Sequence, residues 1–309
     1  MIKSFLKRAL PEAVIRRIRR IRTARPARPA FPVPAAPDRA RFARDMAMAL
    51  PQLGYVLHFT PRSGSSWLGD VLTRSRRLGI PAEAFNPNLM PKMVQAMNAV
   101  TLDEYCEVLP RRRSRGDVWG FEITAHQIAA VFGDEKAFLA RFGHLPAIWL
   151  VRRDIVAQGV SLAKMSATRL GHAPQADAGS IAAADKQLRY DAAAIRYGIE
   201  HVRNAEIQTE AMFARQGIVP LRMSYEENVS HPPVHLTKVV GHHVGLGRMR
   251  VRAEALASPH TPISTSLNIE FADRFRAENP GFVAELEAAR APMLERIRPY
   301  APRRGATGI

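Results

Sequence analysis

Short apolar runs, each followed by polar residues and then by a stretch with helical spacing, dominate the pattern of this chain. The runs at residues 55–59, 118–123 and 147–151 are almost uninterrupted by polar positions. Runs of this length without alternation are typical of strands buried on both faces, as in a parallel sheet covered by helices. Their alternation with helical stretches predicts an α/β fold, a P-loop-like parallel β-sheet flanked by helices in a single domain.

The segment between the first run and the next helix has the clearest chemical character. Residues 60–67 are Thr-Pro-Arg-Ser-Gly-Ser-Ser-Trp. The free N–H groups and the dipole of a helix N-terminus favour an anion, and a glycine lets the backbone approach it closely. Hydroxyl groups and a planar guanidinium add donors. The pattern predicts a phosphate or sulfate site, although serines that only cap the helix would give it too. The site would comprise Arg62, Ser63, Gly64, Ser65 and Ser66.

The P-loop of nucleotide triphosphatases is the main alternative for this segment. That motif needs two glycines separated by four residues, followed by Lys and then Ser or Thr. Residues 60–66 contain one glycine and no lysine. A site for a Mg²⁺-nucleoside triphosphate is therefore disfavoured, and a P-loop-type kinase of a small molecule is the second functional hypothesis.

A similar junction follows the run at residues 147–151. Arg152, Arg153 and Asp154 come directly after it, and the helical stretch that follows contains Ser161. Parallel strands end at the same edge of a sheet, which is where open α/β sheets bind ligands. Two anion sites at one edge indicate a ligand with two separated anionic groups.

With these residues, the chain resembles the sulfotransferases that use 3′-phosphoadenosine 5′-phosphosulfate (PAPS), most closely the bacterial trehalose 2-sulfotransferase family. The loop Thr60-Pro-Arg-Ser-Gly-Ser65 and the run Arg152-Arg-Asp-Ile-Val-Ala-Gln-Gly-Val-Ser161 match two motifs of that family. The resemblance implies that Arg153 and Ser161 bind the 3′-phosphate. It also implies a site for the 5′-phosphosulfate at Arg62, Ser63, Gly64, Ser65, Ser66 and Trp67.

The resemblance extends to a candidate general base. Residues 78–86, Leu-Gly-Ile-Pro-Ala-Glu-Ala-Phe-Asn, resemble the family's Gly-x-Pro-x-Glu-Phe-Phe segment, which makes Glu83 the predicted catalytic base. A carboxylate within hydrogen-bond reach can take the proton that an acceptor hydroxyl loses. A solvated glutamate near a helix start is the structural alternative. Glu122 is the competing base, since it belongs to the run at 118–123, at a place where relatives tend to have Lys.

The activity implied by the resemblance is direct, in-line transfer of the sulfuryl group from PAPS to a hydroxyl of a saccharide or glycolipid acceptor. Arg62 stays charged at ordinary pH, so it would stabilise developing negative charge and would not donate a proton. The reaction calls for neither a metal nor a covalent intermediate. A non-catalytic nucleotide-binding protein docked at the membrane surface is a third hypothesis.

Charge divides the chain unevenly. The net charge is +17, and residues 1–29 hold ten Lys or Arg against one acidic residue, a net +9. We divide the chain into a basic amphipathic segment (1–24), a Pro/Ala/Arg-rich linker (25–44), a sulfotransferase domain (45–300) and a tail (301–309). We expect such a segment to bind an anionic membrane surface, with a disordered tail as the alternative. Nucleic acid is disfavoured as a partner because few aromatic residues are available for base stacking.

Composition says little about function but indicates the cellular compartment. The single cysteine, Cys106, excludes an intrachain disulfide and fits a reducing cytoplasm. No apolar run reaches about 18 residues, the length of a membrane span. We therefore expect a cytoplasmic protein, peripheral at the inner face of the membrane if residues 1–24 bind it, and leave a homodimer open.

Several further residues have expected roles. The ten histidines lack the spacing of metal ligands, so no metal is predicted. His58 lies in a strand run and is expected in the core, whereas His126 is a weaker candidate for the site. Tyr225 and Glu226 are expected to be structural. In relatives the region after the 3′-phosphate helix helps to form the acceptor pocket, so residues 169–177 are expected to influence acceptor choice.

Overall fold

Four parallel strands form the centre of the protein. The computed structural model describes residues 30–168, 179, 185–186, 188–256 and 265–300. In the sheet the strands are ordered β2-β1-β3-β4, and every neighbouring pair is parallel. The predicted α/β class is confirmed. The strands are Leu53–Phe59 (β1), Val118–Ile123 (β2), Ala147–Val151 (β3) and Leu221–Ser224 (β4).

Helices connect the strands and cover both faces of the sheet. Several begin at a Thr or Asp whose side chain accepts from a backbone N–H of the first turn, as at Thr101, Thr124 and Asp134. The helices are Arg39–Met46 (α1), Ser65–Arg74 (α2), Met90–Met97 (α3), Leu102–Arg113 (α4), Ala125–Phe132 (α5), Glu135–Phe142 (α6), Ile155–Thr168 (α7), Ala192–Gln216 (α8), Tyr225–Ser230 (α9), Pro233–His243 (α10), Ser266–Glu278 (α11) and Pro280–Leu294 (α12).

The register of the sheet determines which loops meet. Val56 of β1 lies opposite Phe121 of β2 on one side and Ala147 of β3 on the other. Every residue of β2 and β3 is buried, as expected for strands covered on both faces. Because the three strands run in the same direction, the segments that follow them emerge together at one edge of the sheet.

Successive residues of β1 face separate hydrophobic cores. Val56 packs in the core that contains Phe85 and Phe121, whereas Tyr55 and Leu57 belong to the core formed with α2 and α10. A third core lies among α7, α8, α11 and α12. His58 lies in the core as expected, with its ring edge-on to Phe213. Burial lowers the pKa of His58 to about 3, so its imidazole is neutral.

Helix α1 lies partly inside the predicted linker. It begins at Arg39, whose guanidinium pairs with Glu104 of α4, and Asp45 pairs with Arg112 of the same helix. Residues 39–44 of the predicted linker are therefore helical and contact the domain through α4. The predicted segments 1–24 and 301–309 and the predicted acceptor region 169–177 lie outside the described residues. Among the helices that are described, none is both long enough and apolar enough to cross a membrane.

A buried ion pair supports the segment that follows β3. Arg290 of α12 donates to both carboxylate oxygens of Glu206 on α8, and both side chains are about 1% exposed or less. The same guanidinium donates to the carbonyl oxygens of Arg152 and Arg153 at 2.6 and 2.7 Å. Two helices distant in sequence thus hold the backbone from which these two arginines project.

Arg290→Met should therefore strongly destabilise the protein. It removes the buried partner of the Glu206 carboxylate, which keeps only the partly exposed Arg203 guanidinium at 3.3 Å. Loss of one partner of a buried ion pair costs up to about 3–5 kcal/mol. Arg215→Met is the matched control, because Arg215 also pairs with a glutamate through two hydrogen bonds, but at the surface, where solvent screens the pair. Denaturant unfolding would measure both variants. Equal losses of unfolding free energy would contradict this view of the ion pair.

Candidate active site

The loop between β1 and α2 has a tight backbone. Arg62 and Gly64 both adopt left-handed conformations, with φ of 66° and 83°. Gly64 is the residue at which α2 begins, and a Cβ there would lie 2.5 Å from Cδ2 of Tyr225. A side chain at position 64 would thus be strained and would collide with α9. The glycine lets the loop lie against Tyr225 with the helix N-terminus at its end.

Side chains of α7 tie this loop to the segment after β3. Nε of Arg62 donates to Oγ of Ser161 at 3.0 Å. Nε2 of Gln158, one turn earlier on α7, donates to Oγ1 of Thr60 at 2.8 Å and to the carbonyl oxygen of Pro61 at 2.6 Å. The two segments predicted to bind separate anionic groups are therefore in direct contact.

Positive charge is concentrated where the two segments meet. Burial, and secondarily the charge of Arg152, lower the pKa of Arg62. The Arg152 guanidinium lies over the ring of Tyr225, 5.1 Å from its centre, with Glu226 Oε1 3.9 Å from Nε. Arg62 stays protonated, because guanidinium groups do not lose their proton in proteins. Two guanidinium groups beside a helix N-terminus repel each other, and a bound anion would offset that repulsion.

Two buried donors there also lack a hydrogen bond within the described part of the chain. Nε of Arg152 and Oγ of Ser63 are buried and form no hydrogen bond with any described residue. Buried polar groups are nearly always satisfied, so unpaired donors next to a helix N-terminus indicate a place for an acceptor. Phosphate and sulfate oxygens would supply such acceptors.

Arg153 contacts Glu226 through its backbone and Ile297 through its side chain. Its backbone N–H donates to Oε2 of Glu226 at 2.9 Å, and its exposed side chain lies 3.4 Å from the carbonyl oxygen of Ile297, near the end of the described chain. Glu226 has the structural role expected for it, since it also accepts from the N–H of Asp154. The residue whose charge acts on Arg62 is Arg152, although the resemblance assigned the 3′-phosphate to Arg153.

Glu83 is held by two amide side chains. Its Oε2 accepts from Nδ2 of Asn86 at 2.7 Å and from Nε2 of Gln127 at 2.8 Å. Gln127 is itself fixed, because it forms a capping box with Thr124 at the start of α5, directly after β2. Oε1 of Glu83 accepts no hydrogen bond from the part of the chain that is described. One oxygen of this carboxylate is thus oriented and the other is free to accept a proton.

Glu122 lies behind the loop and is held as an acid. Burial, and secondarily the charge of Glu83, raise its pKa to about 8, although a hydrogen bond with Ser65 and the charge of Arg113 oppose the shift. Its carboxyl also occupies the space next to Gly69 of α2. A group with this pKa is protonated at neutral pH. Glu122 therefore interacts with both the loop and Glu83, mostly as the neutral acid at neutral pH.

His126 forms a stacked pair near Gln127. Its ring lies parallel to that of His201 on α8, with the ring centres 4.1 Å apart. Burial and the neighbouring His201 lower the pKa of His126 to about 4, so the imidazole is neutral at pH 7. Its buried Nδ1 has no hydrogen-bond partner among described residues.

The sequence-based site is largely assembled by the fold. The structure brings the loop of residues 60–66 together with Ser161 and connects it through Glu122 to Glu83. The Arg153 side chain contacts the carbonyl oxygen of Ile297, and Trp67 of α2 is half-buried against the core. In the described ranges no group of His, Cys, Asp or Glu is arranged to hold a metal ion. Sequence reasoning missed the roles of Arg152, Gln158, Asn86 and Gln127.

Comparison with known proteins gives a family match. The family model for Stf0 sulphotransferase matches residues 54–278 of the chain. Among solved structures, the sulfotransferase domain from the curacin biosynthetic pathway is similar, with 13% sequence identity, coverage of 74% of this chain and 97% of that chain, and a TM-score of 0.41. This likeness is too low to assign a function to the chain. No curated protein sequence matches the chain.

The raised pKa of Glu122 predicts a pH effect on stability. Between about pH 4.5 and 8 the folded protein keeps this proton and the unfolded chain has released it, so wild-type stability should fall as pH rises. Relative to Glu122→Gln, which cannot titrate, the fall should approach about 1.4 kcal/mol per pH unit. Denaturant unfolding across this range would measure it.

The exposed Glu287 provides the control, since Glu287→Gln should leave the pH profile unchanged. Parallel profiles for wild type and Glu122→Gln would show that Glu122 is ionised in the folded protein and would contradict its assignment as an acid.

Proposed function

The chain belongs to the Stf0 sulphotransferase family, and we propose that it transfers a sulfuryl group from PAPS to a hydroxyl of a saccharide or glycolipid acceptor. The membership confirms the predicted resemblance to sulfotransferases and establishes sulfuryl transfer as the general activity. The donor and the acceptor are our proposal. The observation that supports it most is the contact between Arg62 and Ser161, which joins two anion-binding segments over one edge of the sheet.

The residues at this edge suit a nucleotide with two anionic groups. The α2 N-terminus and the hydroxyls of Ser63, Ser65 and Ser66 would hold the 5′-phosphosulfate. Ser161 and the guanidinium of Arg152 would lie toward the 3′-phosphate, and Nε of Arg152, which forms no hydrogen bond with a described residue, would be a donor for it. PAPS brings an already activated sulfuryl group, so the protein needs only to orient the donor and to stabilise charge.

Arg62 would act where negative charge develops. As the bond between sulfur and the bridging oxygen lengthens, charge accumulates on the phosphate that leaves. A guanidinium fixed by Ser161 and partly desolvated stabilises that charge more strongly than one in water. Because Arg62 keeps its proton throughout, its contribution is electrostatic.

Glu83 would take the proton from the acceptor hydroxyl. The amides of Asn86 and Gln127 orient its carboxylate through one oxygen and leave the other for the incoming O–H. Glu122 is buried and protonated at neutral pH, so it would maintain the site without abstracting the proton. The two neighbouring carboxyl groups thus have different roles because their environments differ.

Glu83→Gln tests the proposal directly. The amide keeps an oxygen that accepts from Asn86 and Gln127 but cannot take a proton, so kcat should fall at least about 100-fold. Affinity for adenosine 3′,5′-bisphosphate (PAP), measured by calorimetry, should stay unchanged. Activity would be measured with radiolabelled PAPS and a panel of trehalose, other saccharides and glycolipids.

Glu122→Gln is the matched comparison, and it should retain most of the wild-type kcat. Unchanged turnover in Glu83→Gln would remove Glu83 as the base. Binding of Mg-ATP in preference to PAP would contradict the proposed donor and support the kinase hypothesis instead.

A further inference from the structure

An apolar cavity of about 340 Å³ lies next to the elements that hold Glu83. This volume is within the usual range of small-molecule sites. Its wall consists of the chain at residues 30–32, the segment that leads into α3, the start of α4 and the end of α5. The principal lining residues are Phe31, Pro87, Met90, Pro91, Leu102 and Val131.

The cavity shares its supports with the candidate base. Asn86, which donates to Glu83, is followed immediately by Pro87 of the cavity wall, and the carbonyl of Asn86 accepts from the N–H of Met90 at 2.8 Å. On α5, Gln127 contacts Glu83, and Val131 lies one helical turn further along. Two separate elements thus run from the Glu83 carboxylate to the cavity wall.

The cavity is preformed and its lining offers hydrocarbon contacts. Met90 and Val131 are almost fully buried and pack in the core that contains Phe85. Phe31 closes one side and lies against Tyr105, with the ring centres 6.3 Å apart. None of the lining side chains that the structure describes has a polar or charged group. A sugar ring placed there would lose the hydrogen bonds of its hydroxyls, whereas an alkyl chain would lose none.

We propose that this cavity binds the aliphatic chain of an amphiphilic acceptor whose hydroxyl reaches Glu83. The inference rests on the proposed function and specifies its acceptor as a lipid-linked hydroxyl compound. The charge of the preceding sequence supports a lipid source: residues 1–29 have a net charge of +9 and lead directly into residue 30 at the cavity wall. Such a sequence is attracted to anionic membrane surfaces, where amphiphiles are concentrated.

The test is a series of alkyl glucosides of increasing chain length, each below its micellar concentration, with labelled PAPS and the full-length protein. Each buried methylene should lower KM about fourfold until the cavity is filled, with little change in kcat. Leu102→Trp should remove the dependence on chain length by filling the cavity, while butyl glucoside keeps its kcat. Ile269→Trp, at an exposed apolar position on α11, is the control, and this variant should keep the dependence of KM on chain length.

Calorimetry with octyl and butyl glucoside in the presence of PAP separates the two proposals. A KM independent of chain length, with transfer intact, would overturn the cavity assignment and leave the proposed function standing. If neither the glucosides nor the panel of trehalose, other saccharides and glycolipids accept sulfate, the proposed function is contradicted, while tighter binding of the octyl compound would still support the cavity. Equal binding of both compounds would overturn the cavity assignment by itself, even if Leu102→Trp failed to fold.

Discussion

The parallel pairing of β1 with both β2 and β3 is the constraint on which the rest of the structure depends. It places the ends of three buried strands at one edge, so the loop after β1, the α5 start after β2 and the arginines after β3 must meet there. Residues 60–66, Gln127 and Arg152 reach the site by this route. The sequence distance between them does not matter once the strand order is set.

The site combines groups that repel each other in the absence of a ligand. Arg62 and Arg152 are close enough that the charge of one lowers the pKa of the other, and Glu83 likewise raises the pKa of Glu122. The surrounding protein holds these groups in place through Gln158, Glu226 and the Arg290–Glu206 ion pair. Strain of this kind is typical of binding sites, since a ligand of opposite charge relieves it. An anion suits the end of the site that contains Arg62 and Arg152, and a hydroxyl suits the end that contains Glu83.

Local patterns predicted the strands and the loop well, because buried parallel strands and helix N-termini depend on neighbouring residues. Two strands have the predicted bounds, 118–123 and 147–151. What the sequence could not reveal depends on tertiary contacts. Gln127 is 44 residues from Glu83, so no local pattern connects the two. Helix α1 is stabilised by pairing with α4, a contact that composition does not reveal, and composition therefore suggested a linker there. The positions of the Arg152 and Arg153 side chains depend on Tyr225 and on the chain near Ile297, which no local pattern records.

The central claim is that the loop after β1 and the helix after β3 form one binding site for one doubly anionic nucleotide. A double-mutant cycle for PAP affinity, with Arg62→Met, Ser161→Ala and the combined variant measured by calorimetry, tests it most directly. Because the two side chains touch each other, the account predicts that the combined loss is smaller than the product of the single losses by about twofold or more. Single losses that multiply without any coupling would contradict a shared site.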